Sequence, residues 1–244
     1  MDYQFLKMKI VFGPIKKYTN QIESWLFQEN EISGEGFYHN FIVEDFAMNN
    51  FLCCVNENDE AVGFIIYNLR INRASIDIAS VKQSEKRKGI CKLMLESLSK
   101  HLLEKGKLVL YLYCQPKSSE KVWKKLGFKS FKEREKHRAL NSKDFAHPWL
   151  YKILVPTHLT TRKKNLNTYI ELWTEFENVV YCDSSIKPTY KWDISNFVHP
   201  IIYPVDSEWK IKYVKNRIIS YEGVLKRFNF GVFEFGDFLI ISRD

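Results

Sequence analysis

No stretch of this 244-residue chain approaches the roughly 20 consecutive apolar residues that a membrane-spanning helix requires, so a helical membrane protein is not expected. The opening residues, Met1-Asp2-Tyr3-Gln4, lack a basic stretch running into a long apolar one, and no secretory leader is expected. The five cysteines, at 53, 54, 91, 114 and 182, contain no C-x-x-C pair and are odd in number. They read as reduced, mostly buried thiols of a cytoplasmic protein, and no metal site is expected. There is neither an internal repeat nor a low-complexity linker. What is present is core-forming material. A hydrophobic share of 45% and an aromatic share of 15% exclude a disordered chain.

The formal net charge is +8, and it is unevenly placed. Up to Val155 there are 25 basic against 18 acidic residues; beyond it there are 12 against 11. The excess gathers in Lys82–Lys92 and again in Lys117–Lys143. An anionic ligand, either a phosphorylated cofactor or nucleic acid, fits that pattern, and so does a solvated basic surface.

Apolar and polar periodicity predicts a strand at 5–11, a helix at 15–28, a break at Ser33-Gly34-Glu35-Gly36 and a short helix at 38–47. Strands follow at 51–55 and 61–69, joined by the hairpin loop Asn56-Glu57-Asn58-Asp59-Glu60, then another at 75–81. Residues 89–105 give the clearest helix, with Ile90, Leu93, Met94, Leu98, Leu102 and Leu103 as its buried stripe and Gly106 as its cap. A continuous apolar strand at 108–114 suits a sheet centre. A helix capped by Ser118 or Ser119 is expected to run to about Leu126, before strands at 129–134 and 149–155. The composition changes near Pro156-Thr157. Beyond it we expect one amphipathic helix at 162–176, then strands at 179–182, 190–194, 209–214, 217–227, 232–235 and 238–242, with hairpin turns at Asn216 and Gly236-Asp237. Trp209, Ile211 and Tyr213 alternate with Lys210 and Lys212 as on a half-buried strand, and the phenylalanines at 228, 230, 233, 235 and 238 read as core. The expected fold class is α/β, a mixed sheet with flanking helices over residues 1–155, plus a smaller β-rich domain at 156–244 whose role is unknown.

The most informative segment is Lys86-Arg87-Lys88-Gly89-Ile90-Cys91, a basic turn between a strand and a helix. Such a turn aims several backbone N–H groups at one spot, at the positive end of the helix dipole, where a phosphate or pyrophosphate is stabilised. Downstream lie the helix, the apolar strand ending at Tyr113-Cys114, and Val122-Trp123-Lys124-Lys125-Leu126-Gly127-Phe128. In this order and spacing, residues 51–155 resemble the GNAT superfamily of acyl-CoA-dependent N-acyltransferases, and the resemblance is taken to extend over roughly 1–155. The hairpin at 56–59 followed by Val62-Gly63-Phe64 adds to it.

The resemblance implies a mixed sheet that splays apart between the strands at 75–81 and 108–114. It implies that acetyl-CoA is the cosubstrate. Its pyrophosphate would be held at the turn, by Lys86, Arg87, Lys88, Gly89, Ile90, Cys91 and Lys92, and its pantetheine would lie beside Ser80 and Val81. It implies that Asp77 is a general base or an anchor for the acceptor amine; a structural carboxylate bonded to backbone or to Arg73 is the alternative. If the strand is regular, Asp77 shares a face with Ser75, Ala79 and Val81. Three positions depart from the family pattern. Lys86 and Cys91 stand where Arg or Gln and Gly or Ala are usual, and Cys91 reads as a packed thiol rather than a nucleophile. Trp123 stands where a tyrosine often protonates the leaving thiolate, and an indole N–H does not serve as that acid; Tyr111 and Tyr113 are nearby replacements or simply core. The expected function is N-acetyl transfer from acetyl-CoA to an amine of a small molecule, peptide or protein. A toxin-like acetyltransferase of aminoacyl-tRNA and a non-catalytic acyl-CoA-binding protein are the alternatives. Nucleic acid is possible but not favoured as a partner, no membrane partner is expected, and a homodimer is possible.

Overall fold

The computed structural model describes residues 8–33, 50–131, 148–174, 187–228, 233–234 and 238–242. Two compact units divide the chain, one within Met1–Lys129 and His147–Leu154, the other within Ser130–Ala146 and Val155–Asp244. In the first part of the chain the elements run β1 (Lys9–Phe12), α1 (Lys16–Ser33), β2 (Phe51–Val55), β3 (Ala61–Leu69), β4 (Arg73–Val81), α2 (Ile90–Glu104), β5 (Val109–Tyr113), α3 (Glu120–Lys125), β6 (Lys129–Ser130) and β7 (Trp149–Ile153). The strands make one seven-stranded sheet in the order β1-β2-β3-β4-β5-β7-β6. The pairings from β1 through β4 are antiparallel, β4 and β5 are parallel, and β5 and β7 are antiparallel. This is the expected mixed α/β sheet with flanking helices.

The sheet is buried on both faces, which is why β2 and much of β3 read as unbroken apolar runs. On one face α2 inserts Ile90, Met94, Leu98 and Leu102, an i, i+4 row, against Leu52, Ile65, Ile76, Leu110 and Leu112. Leu95 joins the buried set, whereas Leu103, expected in it, is 39% exposed because it lies one residue round from that row. On the other face α1 packs Tyr18, Ile22, Trp25 and Leu26 against Phe51, Phe64 and Ile78. Helix α1 outruns its predicted end at 28 and stops at Ser33. The predicted helix at 38–47 lies outside the described residues.

Gly63 sets how closely α2 approaches the sheet. A Cβ there would meet Met94 Cε at 3.1 Å, Ile90 Cγ2 at 3.2 Å and the Ser80 carbonyl at 3.2 Å. The far end of α2 closes on Gly106 in the left-handed region: Gly106 N–H bonds the Leu103 carbonyl and Lys107 N–H the Leu102 carbonyl. This paired C-terminal arrangement satisfies two orphan acceptors.

The second unit is built from β8 (Tyr169–Trp173), β9 (Tyr190–Asp193), β10 (Ile201–Pro204), β11 (Lys210–Lys215), β12 (Ile218–Val224), β13 (Phe233–Glu234) and β14 (Phe238–Ile241). They form a four-stranded sheet, β12-β11-β8-β9, and a three-stranded one, β10-β14-β13. Trp192, Trp209, Ile211, Phe228 and Leu239 share one core. The helix expected at 162–176 is wrong: 162–168 is irregular and 169–173 is a strand between β11 and β9. Asn216 and Arg217 both have positive φ, 52° and 65°, and make the tight turn between β11 and β12. The predicted strand at 179–182 and the turn at 236–237 lie outside the described residues.

Candidate functional site

A single 3-10 turn, Gln83–Glu85, leads from β4 to the basic segment. Glu29 on α1 accepts the Gln83 N–H at 2.6 Å and so fixes where the turn begins. Arg87 (φ 67°) and Gly89 (φ 83°) then take left-handed conformations, which bend the chain into the start of α2. Gly89 is the N-cap, and having no side chain it makes no capping bond. Among the described residues, no protein acceptor meets the backbone N–H groups of Arg87, Lys88, Gly89, Ile90, Cys91 or Lys92. The first intrahelical bond runs from Leu93 N–H to the Gly89 carbonyl. These donors point outward from a helix start, an arrangement that stabilises an anion.

The side chains around them divide by role. Ile90 is buried in the α2 core. Lys86, Arg87, Lys88 and Lys92 are exposed; Lys88 pairs with Glu85 at 3.0 Å and Lys92 lies 3.8 Å from Glu96. Cys91 is half-buried against the α2 core, and burial pushes its thiol up to about 11. That thiol is protonated at neutral pH, which agrees with a packed residue and not a nucleophile.

Beside the turn, the parallel ladder of β4 and β5 is short. It pairs Arg73 with Val109 through to Ile76 with Leu112, and then stops. Beyond that point β4 continues to Val81, and among the described residues it is paired only to β3. The β5-facing backbone of 77–81, including Ser80 and Val81, therefore lines an opening between two neighbouring strands. It can accept the backbone of an extended ligand as an added strand would.

Asp77 sits where this opening begins, and it is the extra residue of a β-bulge. Ile66 pairs with Ile78 and Tyr67 with Ile76, leaving Asp77 without a cross-strand partner. The bulge corrects the expected face. Asp77 lies with Ser75, but Ala79 and Val81 pack against the α2 core on the other side. The Ser75 hydroxyl donates to Asp77 Oδ1 at 2.8 Å, and the Asn68 amide donates to Oδ2. Asp77 is exposed, and its bonds are to these two side chains, not to Arg73 as the structural alternative supposed. Arg73 instead places its guanidinium 5.8 Å from the centre of the Tyr111 ring. Asn68 and Glu29 are the positioning residues that sequence reasoning missed. Only the strand register and the packing of α1 bring them to the site.

Trp123 is buried in the α2 core, edge-to-face with Phe128 at 5.3 Å. Helix α3 ends on Gly127 (φ 92°), with Gly127 N–H bonded to the Lys124 carbonyl and Phe128 N–H to the Trp123 carbonyl. The Trp123–Phe128 contact is the apolar clasp that accompanies this helix ending. Lys152 on β7 adds a bond from its ammonium to the Leu126 carbonyl at 2.9 Å. Ser119 is the N-cap of α3, but its hydroxyl bonds the Pro116 carbonyl and caps no helix N–H. Among the described residues there is no cluster of His, Cys, Asp or Glu able to hold a metal ion, and no helix is long and apolar enough to cross a membrane.

Residues 18–128 match the model of the acetyltransferase (GNAT) family. Among solved structures, Ard1 from Thermoplasma volcanium is similar at 17% identity and a TM-score of 0.47, over 62% of this chain and 100% of that one. The PaiA N-acetyltransferase from Thermoplasma acidophilum, in complex with coenzyme A, is similar at 20% identity and a TM-score of 0.45, over 61% and 99%. A GNAT-family acetyltransferase from Staphylococcus aureus Mu50 is similar at 18% identity and a TM-score of 0.45, again over 61% and 99%. No curated protein sequence matches the chain. The chain thus carries, over residues 18–128, a domain of the acetyltransferase (GNAT) family.

Proposed function

We propose that this protein is an N-acetyltransferase that moves an acetyl group from acetyl-CoA directly to an acceptor amine. The observation that carries the reading is the meeting of an uncapped helix start with a strand pair that parts after Ile76 and Leu112. Six N–H groups, from Arg87 to Lys92, that have no acceptor among the described residues suit the pyrophosphate of coenzyme A, and the β4 edge at Ser80 and Val81 suits its extended amide-bearing arm. When bound, an acyl-CoA supplies an acyl carbon that the amine nitrogen attacks, a C–N bond replacing C–S while the sulfur leaves with the electron pair and a proton. Asp77 receives a proton from the incoming ammonium, freeing the nitrogen lone pair for attack. Ser75 and Asn68 hold both carboxylate oxygens, so the carboxylate is oriented before the acceptor arrives. Trp123 takes no part. The four described cysteines are free thiols, and with the acyl-CoA requirement they suit a reducing compartment, which we take to be the cytoplasm.

The test is calorimetric titration of coenzyme A into the wild type and Gly89→Glu. The substitution forces a side chain into a left-handed position and adds a negative charge beside the donors. Affinity is expected to fall at least about tenfold. Equal affinity would remove the turn from the site.

A further inference from the structure

The sheet face opposite α2 carries groups on both walls of the β4–β5 opening, and acyl-CoA binding leaves them without a task. Register places Asn68, Ser75, Tyr111 and Tyr151 in one row across β3, β4, β5 and β7. One step toward the open end come Asp77 on one wall and the cross-strand partners Tyr113 and Trp149 on the other. Leu110 and Leu112 pack against α2, so Tyr111 and Tyr113 project from the opposite face. That is the face on which Ser75 holds the Asp77 carboxylate. Tyr113 is 39% exposed. Its ring centre lies 5.2 Å from that of Trp149, which is 6.1 Å from Tyr111. At the closed end of the row, the Arg73 guanidinium already stacks on Tyr111.

A fixed carboxylate facing aromatic rings across an opening selects for charge. The carboxylate attracts an ammonium, and the rings attract its polarised methylene groups as well as its charge. An acceptor with a negative group beside its nitrogen would bring that group against Asp77. Resting on the acyltransferase reading of this site, we propose that the acceptor is a primary alkylammonium with no anionic group next to its nitrogen. Asp77 takes the charge, and Tyr113 with Trp149 takes the carbon chain. A free aliphatic amine and a lysine side chain share this chemistry.

The test titrates amines into the full-length protein saturated with coenzyme A, which has no acyl group to give, so binding is read without turnover. Pentylammonium is expected to bind about tenfold more tightly than 1-pentanol, which lacks the charge, and than norleucine, which adds a carboxylate beside the same nitrogen. Asp77→Asn and Tyr113→Leu should each weaken pentylammonium several-fold; Trp149→Ala should do the same, with circular dichroism verifying its fold. Nα-acetyl-lysine methylamide serves as the second source: binding matching that of pentylammonium assigns a lysine side chain, and weaker binding assigns a free amine. Equal binding of pentanol or norleucine, or variants within twofold of wild type, would overturn the inference while leaving the acyltransferase reading intact. Absence of coenzyme A binding in the preceding titration would instead overturn that reading.

Discussion

The two units treat their polar groups in opposite ways. In the second unit, three lysines of the four-stranded sheet are paired with two of its glutamates. Lys191 meets Glu171 at 2.9 Å, Lys210 meets Glu222 at 2.6 Å, and Lys212 shares Glu222 at 3.5 Å. Lys191 and Lys210 also lie over the rings of Tyr169 and Trp173. In the first unit, among the described residues, pairing is left incomplete at two neighbouring places: the N–H groups at the start of α2, and the β4 backbone past Ile76. Buried or confined backbone polar groups usually find partners. Where a well-packed sheet leaves them unmet in one locality, a ligand is the economical explanation. Sheets of similar apolar content can thus be told apart by where hydrogen bonding stops.

The comparison can be broken by substitutions in both units. The largest effects are expected in the cores. Trp123→Ala in the first unit and Trp209→Ala in the second each remove a buried indole and should cost about 3–5 kcal/mol in chemical denaturation. Trp209→Ala should leave coenzyme A affinity of the folded protein unchanged, and a loss there would mean that the second unit contributes to the site. Trp123→Tyr should lower stability without raising turnover, because its hydroxyl would enter an apolar clasp. An increase in turnover would restore the residue to a catalytic role.

Next in size is Asp77→Asn. Steady-state kinetics should show kcat reduced by about two orders of magnitude with coenzyme A affinity preserved. Full turnover would leave Asp77 a purely structural residue. Gly63→Val should follow, at about 1–3 kcal/mol, because the new side chain meets α2 and the Ser80 carbonyl. It should also weaken coenzyme A by displacing the helix start, whereas a loss confined to stability would separate packing from binding.

The smallest effect is expected at Glu222→Gln. Hydrogen bonding and charge from Lys210, with Lys212 adding to them, hold the Glu222 carboxyl below its ordinary value. A lowered folded-state value stabilises the protein above the unfolded carboxylate range, and that contribution is lost as pH falls through the folded value. The variant should therefore be less stable by ~0.5 kcal/mol at neutral pH, given partial exposure, and the difference should vanish in acid. A difference that persists at low pH would indicate packing and not charge.

Much of the first unit was legible because its signals are local. Apolar runs marked β2 and β3, alternation marked β4, the i, i+4 row marked α2, and Gly106 marked its end. The bulge at Asp77 was not legible, since a bulge depends on how two strands pair and leaves no trace in the composition of either. In the second unit, β8 was misread because Leu166, Ile170 and Trp173 stand at helical spacing. The alternation of Ile170 and Leu172 with Tyr169, Glu171 and Trp173 prevailed once β9 and β11 could pair on either side. Strand β10 went unseen because Pro200 and Pro204 bracket it; it is tolerated at the edge of its sheet, where a missing N–H interrupts no ladder. The candidate site was legible as far as the turn. Its positioning groups, Asn68 and Glu29, come from distant elements and needed the fold.

The turn at Arg87–Gly89 has a consequence for how this chain tolerates change. Its outward N–H groups belong to the main chain, so the identities of Lys86, Arg87 and Lys88 contribute charge but not those donors. Drift at these positions should be readily absorbed, with the constraint falling on conformation: a glycine at 89, and at 87 any residue that accepts a positive φ. Arg87→Gly should be accommodated, whereas a β-branched residue at the same place should not. Lysine-modifying reagents would strip the lysine charges and leave the backbone donors in place. Substitution tolerance across 86–89 would then record a backbone shape, not a set of side chains.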